Sequence, residues 1–176
     1  MQTTLFVSPH SSNTLLPAAA VDKGAAFSDC RKYRYALWRI WQKELPFVMF
    51  IGLNPSTANE DENGGTIRSV ERLSKTNGYG GFYMMNCFPY VSTDPRDLVA
   101  IADSAEQHMN NSWLMEMKLK CSDVVFAWGS FDVVKELGRD TELSEMFPQA
   151  KALIKNKNGS PRHPLYVPST VKLVEW

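Results

Sequence analysis

The stretch 47-FVMFIGLNPSTAN-59 sets the architecture: seven residues of unbroken apolar character run into a loop of Asn, Pro, Ser and Thr. A continuous apolar run with no alternation is the pattern of a strand buried on both faces, as in the interior of a parallel sheet. Pro46 ends whatever precedes it, and the polar loop is followed by 66-TIRSVERLSKTNGYGG-81, where Ile67, Val70 and Leu73 share a helical face. The unit is therefore strand, loop, helix.

Working outward, the alternation repeats. The run 82-FYMMNCF-88 reads as a second strand and 94-DPRDL-98 as a turn. Asp103 with Glu106 is a capping-box-like start for a helix over 104–120, whose Met109, Trp113 and Met117 recur at four-residue steps. The third strand is 123-DVVFAW-128, after which Ser130 caps a short helix that stops at Gly138. Upstream, 29-DCRKYRYALWRIWQKEL-45 places Tyr33, Leu37, Ile40 and Trp41 on one helical face, which predicts an amphipathic helix with a basic flank. Residues 1–28 read as a weakly ordered lead-in or an edge strand, with Leu5, Phe6 and Val7 as the apolar segment. Short strand-like runs at 151–155, 165–167 and 171–176 close the chain. The expected fold is a three-layer α/β/α sandwich around a central, mostly parallel sheet, formed by residues 29–176 as one α/β domain.

Composition narrows the function classes. The 176 residues are 44% hydrophobic, and 19 basic residues balance 19 acidic ones, so no global field draws the chain to nucleic acid. Cys30, Cys87 and Cys121 make no close pair, which fits a reduced, cytoplasmic protein. No stretch approaches the roughly 20 apolar residues of a membrane helix, so no membrane partner is expected. No ligand set for a metal stands out, and no cofactor is expected. The oligomeric state is not encoded in any visible pattern.

Ligands of open α/β sheets bind beyond the carboxyl ends of the strands. That rule selects 52-GLNPSTAN-59, 86-NCFPY-90 and 128-WGSF-131. Gly52 permits close backbone approach and Pro55 stiffens the turn; Asn54, Ser56 and Thr57 offer neutral donors and acceptors that suit a nucleobase edge or a positioned water. Loop and helix capping accounts for the same residue types equally well. The segment lacks GxxxxGK[ST], which excludes a phosphate loop, although an anion could sit at the helix start near Thr66. In 161-PRHPLYVPST-170, His163 beside Arg162 could donate to a phosphate, stabilise a leaving group or act as a general acid, or be an ordinary surface histidine. Asn86, Trp128 and Phe88 stand at the ends of the second and third strands, and Phe88 or Tyr90 could stack on a base. Cys87, with no neighbouring His, reads as a small buried hydrophobe.

The runs YRYALWRIW, FIGLNPSTAN, TIRSVERL, YGGFYMMNCFPYVSTDPRDL, VVFAWGS and PRHPLYVP, in this order over residues 28–176, resemble a bacterial and phage family known only as domain of unknown function 1643. This chain has Asn63, Gly64 and Gly65 where that family carries acids and a proline before Thr-Ile, so Asp61 or Glu62 would have to replace any catalytic acid there. More distantly, Gly52-Leu53-Asn54-Pro55, NCFPY, WGSF and His163-Pro164 are similar in kind and order to the motifs of the uracil-DNA glycosylase superfamily.

The resemblance implies a nucleobase- or nucleic-acid-directed protein, with hydrolysis of an N-glycosidic bond or processing of a modified base as its chemistry. Non-catalytic nucleotide or nucleic-acid binding is the alternative, and a protein-interaction α/β domain the third. It implies Asn54, His163 and Asp61 as catalytic residues and Gly52, Pro55, Ser56, Thr57, Asn86, Phe88, Trp128 and Arg162 as substrate-binding ones. The missing iron–sulfur cysteines, Leu165 where the superfamily has Ser, and the neutral charge argue against a mainstream uracil-repair enzyme.

Overall fold

The computed structural model describes residues 22–56, 61–101 and 104–176. Seven strands form one sheet: β1 (Asp22–Phe27), β2 (Arg34–Ile40), β3 (Phe47–Gly52), β4 (Gly81–Asn86), β5 (Asp123–Phe126), β6 (Lys151–Ala152) and β7 (Val174–Glu175). The helices are α1 (Gly65–Thr76), α2 (Ala105–Lys118), α3 (Asp132–Glu136) and α4 (Arg139–Met146), with 3₁₀ turns at Pro95–Ile101 and Pro164–Tyr166.

The strand order is β1-β2-β4-β3-β5-β6-β7. The apolar run at 47–52 is β3, in the middle, parallel to β4 on one side and to β5 on the other. β5 pairs parallel with β6, whereas β1–β2, β2–β4 and β6–β7 are antiparallel. The sheet is thus mixed, with a parallel centre and antiparallel flanks, and the expected mostly parallel sheet is corrected. The reason lies in the segment before Pro46. Residues 34–40 are a strand and not the predicted amphipathic helix, because the run RYALWRI is buried on both faces between β1 and β4. Its arginines are not a basic flank. Arg39 is buried and donates from Nε to Asn63 Oδ1 (2.9 Å) and from Nη1 to the Trp38 carbonyl (2.7 Å). Four-residue spacing of Tyr33, Leu37 and Trp41 imitated a helix face that the sheet never uses.

Each face of the sheet carries its own core. Val48, Phe50, Phe82 and Met84 pack with Ile67, Val70 and Leu73 of α1. Met49, Ile51, Met85 and Phe126 pack on the other face with Leu114 and Met117 of α2, Val134 of α3 and Leu143 of α4. Burial of each such side chain contributes about 1.5–3 kcal/mol. The short helix expected before Gly138 is α3, but Ser130 does not cap it: its N-cap is Phe131 with no side-chain bond, while Ser130 Oγ bonds Ser160 Oγ and Asn156 Nδ2, and after Gly138 the chain resumes as α4. α2 is capped by Ser104, whose Oγ accepts from the Gln107 amide; Asp103 lies outside the described residues. Of the lead-in, residues 22–28 are described, Asp22–Phe27 as edge strand β1, and the Leu5–Val7 segment falls outside. The strand expected at 165–167 is instead the 3₁₀ turn begun by Pro164, which cannot donate to a ladder. Among the described residues no helix is long and apolar enough to cross a membrane.

Candidate functional site

β3 and β4 run parallel with Gly52 paired to Asn86, so both strands end at one level. Beyond that level lies a cavity of about 350 Å3 walled by the ends of β3 and β4, the start of α1, the 92–95 loop, Phe131 and His163. Gly52 makes the floor possible: a Cβ there would stand 2.5 Å from Met84 Cε and 3.1 Å from Asn86 Oδ1.

Asn86 is 1% exposed, and neither Nδ2 nor Oδ1 has a hydrogen-bond partner among the described residues. Its backbone is held from behind. The Asn86 carbonyl accepts from Asn110 Nδ2 (3.0 Å), and the Cys87 carbonyl accepts from Gln107 Nε2 and Arg139 Nε (both 2.9 Å). Arg139, itself buried, also pairs with Glu142 through Nη1 (2.6 Å). Cys87 N and Phe88 N continue the parallel ladder to the Gly52 and Leu53 carbonyls. A rigid backbone therefore presents an amide whose donor and acceptor are both unused. Leaving them so costs about 1–3 kcal/mol per group unless something fills the role.

Asn54 is divided between structure and site. Three carbonyls surround Nδ2, those of Ser92 (2.7 Å), Pro55 (3.2 Å) and Tyr90 (3.3 Å), which fixes the amide orientation and ties the loop after β3 to the loop after β4. Oδ1 accepts nothing from the described residues and stays as an acceptor on the cavity wall. The capping reading and the ligand reading of this loop thus apply to different atoms of one side chain.

His163 is half-buried and accepts the Leu165 amide at Nδ1 (3.3 Å), which puts the ring proton of the neutral form on Nε2. Burial lowers its pKa below the ordinary 6.5, so at neutral pH it is an uncharged donor. The loop of WGSF comes close: Gly129 has φ 85°, and a Cβ there would meet His163 Cβ at 3.2 Å. His163 also borders a second cavity of about 380 Å3, together with Phe131, Asn156, Arg162, Leu165 and Tyr166.

One wall element was not singled out by sequence reasoning. Arg34, 3% exposed, lines the cavity from β2, and desolvation with the nearby charge of Arg39 lowers its pKa to about 10. It escaped notice because the segment reads as a helix; two arginines inside an otherwise apolar run are the signal that would have found it. The start of α1, the helix start near Thr66 that the sequence offers as a place for an anion, also lines the wall with Gly64, Gly65 and Thr66, where no side-chain cap bond is made and the first turn holds no acid.

Of the sequence-selected residues, the cavity gathers Gly52, Asn54, Ser56, Asn86 and His163. The others lie elsewhere. Phe88 is 1% exposed within the core on the α2 face, with no free ring face for stacking. Trp128 is buried against Phe126 and Trp176 (4.7 and 6.1 Å between rings) beside a third cavity of about 260 Å3. Arg162 is exposed on the second cavity and donates to Asn156 Oδ1. Asp61 has an 81% exposed side chain that pairs with Lys23 (3.0 Å), and it does not line the cavity. Pro55 is buried in the loop, its carbonyl accepting the Ser92 amide, and Thr57 lies outside the described residues. Cys87 and Cys121 are buried thiols raised to about 12 by desolvation, which suits packing and not nucleophilic attack. Among the described residues no group of three or more His, Cys, Asp or Glu is placed to hold a metal ion.

In comparison with known proteins, residues 34–165 match the family model described as "Protein of unknown function (DUF1643)". No curated protein and no solved structure matches the chain.

Proposed function

Starting from a chain that belongs to the DUF1643 family, we propose that it is a nucleobase-directed protein that acts on the N-glycosidic bond of a nucleotide or of a base in nucleic acid. The observation that carries this reading is the Asn86 amide, buried at the back of the cavity with donor and acceptor unused. An adjacent donor and acceptor on a rigid support match the hydrogen-bonding edge of a base, and a site built for such an edge discriminates strongly against ligands that lack it. The uracil-DNA glycosylase-like arrangement suggested by GLNP, NCFPY, WGSF and RHP belongs to the same proposal. Its support is that three of these segments contribute Asn54, Asn86 and His163 to one cavity, and the fourth contributes Phe131.

Breaking an N-glycosidic bond builds negative charge on the departing base and positive charge on the sugar. Nε2–H of a neutral His163 is a donor for a base oxygen or nitrogen as that charge develops. Asn54 Oδ1 is an acceptor for the attacking water. Asp61 takes no part in this scheme, and no described residue of the wall is a carboxylate. That last feature favours, as a second reading, recognition of the base without turnover. Oligonucleotides and nucleotides carrying uracil, mismatched and modified bases separate the two. Released base or abasic product that disappears in Asn54→Ala supports hydrolysis. Tight binding with no product supports recognition alone, and neither binding nor product for any base refutes both.

A further inference from the structure

The segment 161-PRHPLY-166 sets Arg162 and His163 between two prolines. Pro164 opens a 3₁₀ turn, closed by the Tyr166 amide on the His163 carbonyl (3.3 Å) and the Val167 amide on the Pro164 carbonyl (3.2 Å). The turn carries Leu165 and Tyr166 to the surface. His163 lines both the first cavity and the second one of about 380 Å3, and so does Phe131, so the two cavities are neighbours with shared walls.

Tyr166 (75%) and Phe131 (42%) are the only exposed aromatic side chains among the described residues, and both line the second cavity. Among those residues Phe131 packs on no other ring, and Tyr166 meets only the ring of His163, tilted by 51° at 6.2 Å. One exposed ring is ordinary; two on one concavity mark a binding surface. Arg162 supplies the charge. Its Nε donates to Asn156 Oδ1 (2.9 Å), and Asn156 is held in turn by donating from Nδ2 to Ser130 Oγ and Ser160 Oγ (both 3.0 Å). The guanidinium is thus fixed through Nε while its terminal nitrogens bond no described residue, and no Asp or Glu lines this cavity. Flat rings beside a pre-positioned guanidinium suit a base and its phosphate.

We propose that the second cavity seats a second nucleotide joined to the one in the first, its base on Tyr166 and Phe131 and its phosphate on Arg162. The ligand is then at least two linked nucleotides. This rests on the nucleobase reading of the first cavity and adds the size of the ligand. Linkage makes the second contact intramolecular, so a modest stacking gain becomes a large gain in affinity. A strand and a free dinucleotide present the same linked pair.

Calorimetric titration of the whole chain with mononucleotides, the matching dinucleotides, dinucleotides lacking the second base, and single-stranded oligonucleotides tests the proposal. In the parent protein a dinucleotide is expected to bind at least about tenfold more tightly than its mononucleotide, a gain that the form lacking the second base does not show. In Tyr166→Ala the ratio falls to near one; the side chain is exposed, and thermal melting checks that the fold is kept. Arg162→Gln lowers the ratio as well, most at low salt. Oligonucleotides that bind more tightly than dinucleotides identify a strand, and ones that bind no better a free dinucleotide; both support the second seat. Equal affinity for mononucleotides and dinucleotides overturns the second seat and leaves the base reading standing. A dinucleotide gain that persists in Tyr166→Ala, or without the second base, also overturns the seat. A gain lost in Tyr166→Ala, in a ligand whose affinity Asn86→Leu leaves untouched, upholds the seat and overturns the base reading. Binding of neither ligand overturns both.

Discussion

Replacing Asn86 by leucine, a substitution close in size and shape, should stabilise the ligand-free protein while abolishing its binding. Both polar atoms of Asn86 are buried without a described partner, and each such group costs about 1–3 kcal/mol. The cavity of about 350 Å3 admits water, which offsets part of that cost, so a net gain of about 1–2 kcal/mol is expected. The clamp behind the residue is untouched, because Asn110, Gln107 and Arg139 bond to the backbone carbonyls of 86 and 87 and not to the side chain. For a chain of this length the gain corresponds to a rise in melting temperature of about 2–8 °C, measurable by calorimetry or circular dichroism. Two lost ligand hydrogen bonds should weaken binding by at least about tenfold. This is the stability–function exchange expected of a site residue. If Asn86→Leu lowers the melting temperature by several degrees, Asn86 is satisfied in the folded protein and the reasoning fails.

Gly52→Ala should act in the opposite direction. The new Cβ must displace Met84 Cε and press on Asn86 Oδ1, costing about 1–3 kcal/mol in thermal unfolding and moving the amide. Arg139→Met removes a donor to the Cys87 carbonyl and the partner of half-exposed Glu142; the expected loss is about 1–3 kcal/mol by denaturant titration, with weaker ligand binding as the end of β4 loosens. For His163 the folded pKa lies below the ordinary 6.5, so between these values the unfolded chain holds a proton that the folded chain does not. Stability should therefore be fully present above about pH 6.5 and decline as the pH falls through the folded value. The difference between the parent and His163→Gln, measured by thermal melting from pH 7.5 to 5, isolates this group, and identical pH profiles would refute it.

The parts legible in sequence were those where one pattern has one cause. A seven-residue apolar run has no solvent face, so β3 had to be central, and its polar continuation had to emerge at the carboxyl edge. From that placement the nearness of Asn54 and Asn86 at the ends of β3 and β4 followed, whereas His163 reaches the same cavity from the segment at Pro164, which no strand end points to. β2 was hidden because 34-RYALWRI-40 is buried on both faces, which erases the period-two alternation, while Leu37 and Trp41 fall by coincidence on a helical spacing. Losing β2 meant losing Arg34 and the antiparallel flank together. Gln107 and Asn110 were hidden for a related reason: hydropathy assigns such residues to solvent, yet on α2 they turn inward to bond the end of β4. Phe88 was misleading because a strand end was equated with exposure, whereas the chain keeps laddering to Leu53 beyond β4 and carries the ring into the core.

The central claim is that the Asn86 amide reads a base edge in the cavity at the ends of β3 and β4. It is tested most directly by titrating ¹⁵N-labelled protein with a panel of nucleosides and nucleotides while following the Asn86 side-chain amide, in parallel with Asn86→Leu. The account predicts that at least one base shifts that resonance on saturation and that its affinity falls by at least about tenfold in the variant. A ligand that binds without moving the Asn86 amide, or that Asn86→Leu holds as tightly as the parent does, would contradict it.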